Sequence, residues 1–173
     1  MKISADFDSG NIQVIDVSDP LKPLLAIRPD TKSNHFQWFH FKASGLHVGQ
    51  EHWFRLNNAS QSSYNKAWAG YQAVASYDHV NWFRVPTSFD GQVMTIEHTP
   101  ELDSIYYAYF EPYTWERHLR LVRQALELDP ENVDALLMLE GASDFKGEER
   151  IEALRRIVAV GAKRLGNKAF KEL

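Results

Sequence analysis

The chain of 173 residues contains no cysteine, which excludes disulfide bridges, thiolate nucleophiles and zinc sites built from cysteine. It also lacks any apolar run approaching the roughly 20 residues that a membrane-spanning helix needs, and its first residues show no apolar segment of signal-peptide length. The net charge is −4, so no basic face for nucleic acid is expected. These absences lead us to expect a cytoplasmic chain that binds neither nucleic acid nor membranes.

Two further absences narrow the chemistry. The nine glycines are dispersed, so no glycine-rich loop is present to hold phosphate groups. No serine stands in a Gly-x-Ser-x-Gly setting, which argues against a serine hydrolase of that type. Aromatic residues are plentiful at 13%, and nearly all of them precede Trp115. This uneven distribution indicates two regions of different structure.

Up to about residue 110 the sequence consists of short alternating apolar segments separated by turn signals. Segments of this length and spacing, with no helical period between them, predict an antiparallel β-sandwich. The turn residues at 8–11 predict that the first two strands form a hairpin. The predicted strands are Ile3–Phe7, Ile12–Val17, Leu24–Arg28, His35–Lys42, His52–Leu56, Gln72–Ser76, Val80–Arg84, Val93–His98 and Ser104–Phe110.

The strand around Trp38 carries aromatic residues on both faces. Phe39 and Phe41 alternate with Phe36 and Trp38. Because a strand that is covered on both sides lies inside a sheet, we predict that this strand is central.

The residues after Pro112 predict three helices and no strand. Thr114 is a suitable N-cap, and apolar residues then recur at helical spacing up to the Asp-Pro stop at 129–130. Two more helices are expected over 133–140 and 148–165, separated by a loop at 141–147, with Gly166 ending the last one. We therefore divide the chain into a β-sandwich, 1–113, and a helical tail, 114–173. Since such short helices offer few core positions, we expect the tail to self-associate or to bind a protein partner.

Six segments of the sandwich region stand in an order that is typical of a known family. The first reads Ala-Asp-Phe-Asp-Ser-Gly-Asn-Ile and the last reads Tyr-Tyr-Ala-Tyr-Phe-Glu-Pro-Tyr-Thr. The six segments are Ala5–Ile12, Ile27–Thr31, His35–Phe41, Phe54–Asn58, Ser63–Asn65 and Tyr106–Thr114. Together they resemble the N-terminal β-sandwich domain of cytosolic-type zinc metallocarboxypeptidases over residues 1 to about 122.

This resemblance implies where the chemistry of the family lies. In these enzymes the sandwich precedes a catalytic domain, which carries a His-x-x-Glu zinc motif with a distant third histidine, a glutamate general base and arginines that hold the substrate carboxylate. The family pattern stops in the helix after Thr114. We therefore expect that the catalytic domain is absent, that this chain is not an enzyme, and that it has no cofactor, zinc being confined to the missing domain.

The tail departs from that family. From about residue 124 the sequence is tetratricopeptide-like, since 125–136 resembles the boundary between two helices of such repeats. One boundary does not make a repeat array, which needs about three units. Asn132, the one polar candidate for a peptide-binding groove, is interpreted as a helix N-cap.

His98 and Glu101 match the His-x-x-Glu spacing in letters. That spacing binds zinc where a tight turn aims both side chains at one ion, with a third ligand and a separate base. Here it falls inside the predicted sandwich, upstream of the position that the resemblance implies for the zinc motif. We interpret the match as coincidental and predict no metal site and no catalytic residue.

Other side chains were weighed as binding residues. Trp68 and Tyr71 lie in a glycine-containing segment and are the candidates for a binding platform, although core packing accounts for most large aromatic residues. His40 and His52 are predicted to lie on neighbouring strands, where they could meet across a ladder, and such a pair is interpreted as hydrogen-bonded rather than as metal ligands.

Three functions follow from these interpretations. The first, which we favour, is a non-catalytic accessory module that packs against a carboxypeptidase domain. The second is a complete enzyme that uses His98, Glu101 and another histidine, or else a fragment of an enzyme with the zinc-dependent activity of the family. The third is an adaptor that binds a protein partner through the helical tail.

Overall fold

The computed structural model describes residues 1–140 and 148–169, and the predicted loop at 141–147 lies outside them. The described chain forms two five-stranded β-sheets followed by three helices. This confirms the prediction of a mainly β chain with a short helical tail. The chain divides into two compact units, Met1–Pro112 and Tyr113–Leu173.

The first sheet has the strand order β1-β4-β10-β6-β7, and its pairings are antiparallel. Its strands are β1 (Lys2–Ser4), β4 (His40–Ser44), β10 (Ser104–Ala108), β6 (Val74–Ser76) and β7 (Phe83–Arg84). The predicted strand at His35–Lys42 is wrong at its start, because Trp38 precedes β4. The prediction of a central strand is correct for β4 itself, which lies between β1 and β10.

The second sheet has the order β2-β3-β5-β9-β8, with β3 and β5 running parallel. Its strands are β2 (Gln13–Asp16), β3 (Leu24–Ala26), β5 (His52–Leu56), β9 (Met94–His98) and β8 (Thr87–Phe89). The sandwich is therefore not wholly antiparallel. The sequence patterns also missed β8, which lies outside every predicted strand.

The predicted hairpin between the first two strands is wrong. β1 pairs with β4, and β2 pairs with β3 in the other sheet. The turn between them therefore carries the chain from one sheet to the other. Gly10 is required in this turn, since a Cβ atom there would lie 2.2 Å from the carbonyl oxygen of Ala5.

Aromatic side chains join the two sheets. Tyr107 of β10 lies 4.6 Å from Phe54 of β5 between ring centroids, and Phe41 of β4 lies 5.7 Å from the same ring. All three side chains are fully buried. Sheets packed face to face with such interdigitated side chains form the core of a sandwich.

Three helices make up the second unit: α1 (Trp115–Leu128), α2 (Val133–Glu140) and α3 (Glu148–Ala169). The backbone N–H of Arg117 donates to Thr114 Oγ1 at 3.2 Å, which confirms the predicted N-cap. The backbone N–H of Ala135 likewise donates to Asn132 Oδ1 at 3.0 Å. The predicted stop at Gly166 is wrong because α3 continues through it, and one glycine costs a helix only about 1 kcal/mol.

The three helices share a small core. Leu119, Val122 and Leu126 of α1 pack with Ala135 and Leu136 of α2, and Ile157 of α3 packs against this cluster. The prediction that the apolar faces bury against each other therefore holds for this part of the unit. Other predicted core residues, Leu137, Ile151, Leu154 and Val158, are exposed.

Candidate functional site

The side chain of Asn11 ties three segments of the sandwich together. Its Nδ2 donates to the carbonyl oxygens of Arg28 at 3.0 Å and of Trp38 at 2.8 Å, and its Oδ1 accepts from Arg28 Nε at 3.0 Å. Its backbone pairs with His40 in both directions. Asn11, in the turn between β1 and β2, thus fixes the positions of two other segments.

A polar groove of about 470 Å³ lies over this junction. The guanidinium of Arg28 is held at its wall by Asn11 and by a second bond from Nη2 to the carbonyl oxygen of Gly10 at 3.3 Å. Trp38 is fixed by a 2.7 Å bond from its indole N–H to the carbonyl oxygen of Ser9. We call this feature the Arg28 groove; it is lined by Ser9, Gly10, Asn11, Arg28, Pro29, Asp30, Thr31 and Trp38.

The C-terminal end of the sandwich lies beside the Arg28 groove. The ring of Phe110, two residues after β10, packs edge-on against Trp38 at 4.9 Å between centroids. Phe110 is 53% exposed, although it is a large apolar side chain. The groove and the exit of the chain therefore form one continuous surface with both polar and aromatic character.

Behind Trp38 lies a cluster of rings around His40. Its ring lies 5.1 Å from His79, 4.9 Å from Phe7 and 5.7 Å from Trp82 between centroids, and Tyr106 also contacts it. Ser9 Oγ is hydrogen-bonded to His40 Nδ1 at 2.9 Å. The other nitrogen, Nε2, is buried with no hydrogen-bond partner.

Burial controls the protonation of His40. Its side chain is fully buried. Desolvation, and then the neighbouring His79, lower the pKa of His40 to about 3, while Asp8 opposes this change. The imidazole is therefore neutral at pH 7, and it takes part in the packing of the turn at Ser9 rather than in proton transfer with solvent.

The structure places the two predicted binding residues in or near the core. Trp68 is 2% exposed, and its indole N–H donates to the carbonyl oxygen of Ala59 and to Ser62 Oγ. The hydroxyl of Tyr71 donates to the carbonyl oxygen of Tyr109, and burial raises its pKa far above the usual value. Trp68 cannot serve as a surface platform because its side chain is buried, and Tyr71 packs edge-on against it at 5.2 Å between ring centroids.

His98 and Glu101 take part in different contacts. His98 Nδ1 is hydrogen-bonded to the hydroxyl of buried Tyr107 at 2.8 Å, and burial lowers the pKa of this histidine. Glu101 is exposed, and its backbone N–H donates to the hydroxyl of Tyr77. Within residues 1–140 and 148–169, no group of three or more histidine, cysteine or acidic side chains is placed to hold a metal ion.

The predicted contact between His40 and His52 is wrong. His40 belongs to the first sheet, whereas His52 lies in β5 of the second sheet and stands opposite His98 in the ladder. The error arises because these strands are consecutive in sequence but lie in different sheets.

Sequence patterns missed Asn11 and Arg28 as organising residues. Both were noted only as members of longer segments. The signal that could have found Asn11 is its position directly after a Ser-Gly turn, where an amide side chain readily bonds nearby backbone groups.

Four of the six segments that carry the resemblance contribute to the groove or the ring cluster: 5–12, 27–31, 35–41 and 106–114.

Comparison with known proteins identifies this surface as part of a known domain. The family described as the cytosolic carboxypeptidase N-terminal domain matches residues 3–110. A metallo-carboxypeptidase from Pseudomonas aeruginosa, solved in complex with (2-guanidinoethylmercapto)succinic acid, is 59% identical with a TM-score of 0.70, and a metallo-carboxypeptidase from Burkholderia cenocepacia is 45% identical with a TM-score of 0.69. An uncharacterised protein of Zymomonas mobilis is 36% identical over 153 residues.

These matches cover most of this chain but a minor part of each relative. The two solved structures cover 73% and 74% of this chain, which spans 34% of each of them. The match to the Zymomonas protein covers 82% of this chain and 40% of that protein. The chain therefore spans about a third of the solved relatives.

We predict that Asn11→Ala destabilises the sandwich by about 2 to 4 kcal/mol, because three side-chain hydrogen bonds of roughly 1 kcal/mol each are lost. Urea denaturation followed by tryptophan fluorescence would measure the change in the free energy of unfolding. Asn57→Ala, at an exposed asparagine after β5, is the control and should change stability by less than about 0.5 kcal/mol. Equal losses in the two variants would show that Asn11 has no special role.

We also predict that the sandwich loses stability as the pH falls from about 6.5 toward 3. The pKa of His40 in the folded chain, about 3, is below its value of 6.5 outside the fold, so the unfolded chain binds more protons in this window. Its contribution is complete above pH 6.5 and decreases by at most about 1.4 kcal/mol per pH unit below it.

Substitution can identify the histidine that causes the loss of stability at low pH. Denaturation midpoints of the wild type, His40→Gln and the exposed-site control His35→Gln would be measured at several pH values between 7 and 4. We expect a shallower pH dependence in His40→Gln alone. The same slope in all three proteins would assign the acid sensitivity to other groups.

Proposed function

The chain belongs to the family of the cytosolic carboxypeptidase N-terminal domain, and we propose that it is a non-catalytic module that docks onto the catalytic domain of a carboxypeptidase. The observation that carries this proposal is the extent of the match. The family description covers residues 3–110, and the chain spans 34% of the solved metallo-carboxypeptidases. What it shares with those enzymes is thus centred on one domain.

The Arg28 groove is the surface that we assign to docking. The family model is that of an N-terminal domain and ends at residue 110, and Phe110 packs on Trp38 at the edge of the groove. In a relative that carries a catalytic domain after this one, the chain therefore leaves the sandwich beside this surface. Docking also gives a reason for the exposure of Phe110, since aromatic residues are enriched at protein interfaces.

The chemistry of the groove suits a protein partner. Arg28 has five N–H donors; those at Nε and Nη2 hold the guanidinium in place, and the group remains exposed at the groove wall. Arginine positioned in this way binds carboxylates with little further loss of freedom. Trp38 and Phe110 supply an adjacent apolar area. An acidic side chain flanked by apolar residues would complement the groove.

The surroundings of His40 and His98 support a structural role for these two histidines rather than catalysis. The ring of His98 is bonded to a buried tyrosine, and that of His40 is enclosed by aromatic rings. A catalytic zinc site instead leaves a coordination position open to water or substrate. We also propose that the chain works in the cytoplasm, in keeping with the cytosolic name of the family; among the described residues no helix is long and apolar enough to cross a membrane.

We expect the purified chain to release no C-terminal residues from peptides, with or without added zinc. Product formation would be followed by mass spectrometry on peptides ending in acidic, basic and apolar residues. The metallo-carboxypeptidase from Pseudomonas aeruginosa is the positive control. Zinc-dependent release that is lost in His98→Ala would contradict the proposal and favour the enzyme hypothesis.

Docking can be tested with the catalytic domain of that relative produced without its own N-terminal region. We expect co-expression with this chain to raise its soluble yield, and the two to co-elute. Arg28→Glu should weaken binding about tenfold or more, because a like charge would then face the partner's carboxylate. Arg55→Glu, at an exposed arginine on β5, is the matched control and should bind as the wild type does.

The binding of the two variants can either support or reject the Arg28 groove as the docking surface. Weaker binding in Arg28→Glu alone, with an unchanged circular dichroism spectrum, supports the Arg28 groove as the docking surface. Equal binding by both variants would show that the docking surface lies elsewhere on the chain. No binding by the wild type would reject the docking function.

A further inference from the structure

Two opposite charges lie in the Arg28 groove without pairing with each other. Arg28 and Asp30 are both exposed, both line the groove, and only Pro29 separates them in the chain. Within the described part of the chain, neither of the two side chains forms a salt bridge. Both charges can therefore interact with groups of another molecule.

Other bonds keep the two charges apart. Nε and Nη2 of Arg28 donate to the turn between β1 and β2, which holds the guanidinium against that turn. The backbone of Asp30 is fixed separately, because its N–H donates to the carbonyl oxygen of His35 at 3.1 Å. Pro29 stiffens the connection, since its ring fixes its own φ and confines the preceding residue to extended conformations.

The same bonds set the order of the groups along the groove. Asn11 Nδ2 joins the carbonyl oxygens of Arg28 and Trp38, whereas Asp30 bonds to His35. Residues 28 and 30 thus lie opposite different ends of the segment 35–38, with Arg28 at the Trp38 end. An aromatic side chain, a cation and an anion therefore follow one another along the groove.

We propose that the groove recognises a segment of the catalytic domain on which an apolar, an acidic and a basic side chain follow one another in that order. The acidic group binds Nη1 of Arg28, the guanidinium nitrogen that Asn11 and Gly10 leave unused. The basic group pairs with Asp30, and the apolar one covers the exposed part of Trp38. This inference rests on the proposed docking function and adds the charge pattern of the partner.

The presence of both signs decides which partners fit. A phosphate group or a run of acidic residues would be attracted by Arg28 but repelled by Asp30, and a basic segment would meet the reverse. Discrimination between partners depends on such repulsive elements as well as on attractive ones. A segment that carries both signs in the matching order satisfies both charges of the groove.

The test measures the affinity of the full chain for the co-expressed catalytic domain of the Pseudomonas aeruginosa relative. Binding by the wild type and its weakening in Arg28→Glu report on docking itself. Asp30→Lys reports on the inference and should weaken binding about tenfold, because a like charge then faces the partner's basic group. The matched control is Asp103→Lys, at an exposed aspartate before β10 and so at the opposite end of that strand from Phe110.

A double variant separates the order of the charges from their sum. Arg28→Asp combined with Asp30→Arg keeps the net charge of the chain but reverses the two signs, so it should bind at least about tenfold more weakly than the wild type. Binding at the wild-type level would show that the order is irrelevant and would overturn the inference.

The outcomes separate this inference from the docking function. Wild-type affinity in Asp30→Lys, together with weak binding by Arg28→Glu, would leave docking intact and overturn the inference. No binding by the wild type would reject both. Asp30→Lys removes no side-chain bond of the described residues, so weaker binding with an unchanged circular dichroism spectrum supports recognition of the partner's basic group.

Discussion

The crossing of the chain from one sheet to the other at residues 5–11 is the constraint on which the sandwich depends. The crossing requires Gly10 because its Cα lies against the backbone of Ala5, and it holds Ser9 in the left-handed region with φ of 63°. A tight turn of this kind is stable only if surrounding bonds fix it. Asn11 supplies those bonds, because one amide side chain joins the turn to Arg28 and to Trp38. The Arg28 groove is a direct consequence, since the same bonds that hold the turn also place its walls.

The ring cluster behind the groove extends this constraint into the interior. His40 bonds through Nδ1 to Ser9, which ties the strained turn to β4. The low pKa of His40 follows from its enclosure, so the charge state that suits the fold is the neutral one. His79 also has a positive φ, 62°, and packs against His40 and Tyr106. Two left-handed residues in contact with one buried imidazole indicate that the packing of this region overrides local backbone preference.

The sequence predicted the fold class and most elements, but not which strands pair. Alternation indicates that a residue faces a core, and for Phe39 and Phe41, which are fully buried, this indication is correct. It carries no information on which sheet a strand joins, so the first hairpin and the contact of His40 with His52 were both predicted wrongly. Helix signals performed better, because Thr114 and Asn132 act through bonds to residues three positions away. The groove escaped prediction because Asn11, Arg28 and Trp38 are distant in sequence and are joined only by hydrogen bonds of the folded chain.

The two units meet the need to bury apolar surface in different ways. The sandwich has enough large side chains to cover both of its sheets, and Phe54, Tyr107 and Ile105 are completely inaccessible to solvent. The helical unit is shorter, and only one face of each helix reaches its core. Ordering a residue costs on the order of 1 to 2 kcal/mol, whereas burying a large aliphatic side chain contributes about 1.5 to 3 kcal/mol. With Ile151, Leu154 and Val158 left outside, the unit forgoes a substantial part of the burial that its sequence offers. Covering these three residues is therefore a matter of stability for the helical unit, whereas the docking that we propose gives a reason for the exposure of Phe110 and Arg28 on the well-buried sandwich.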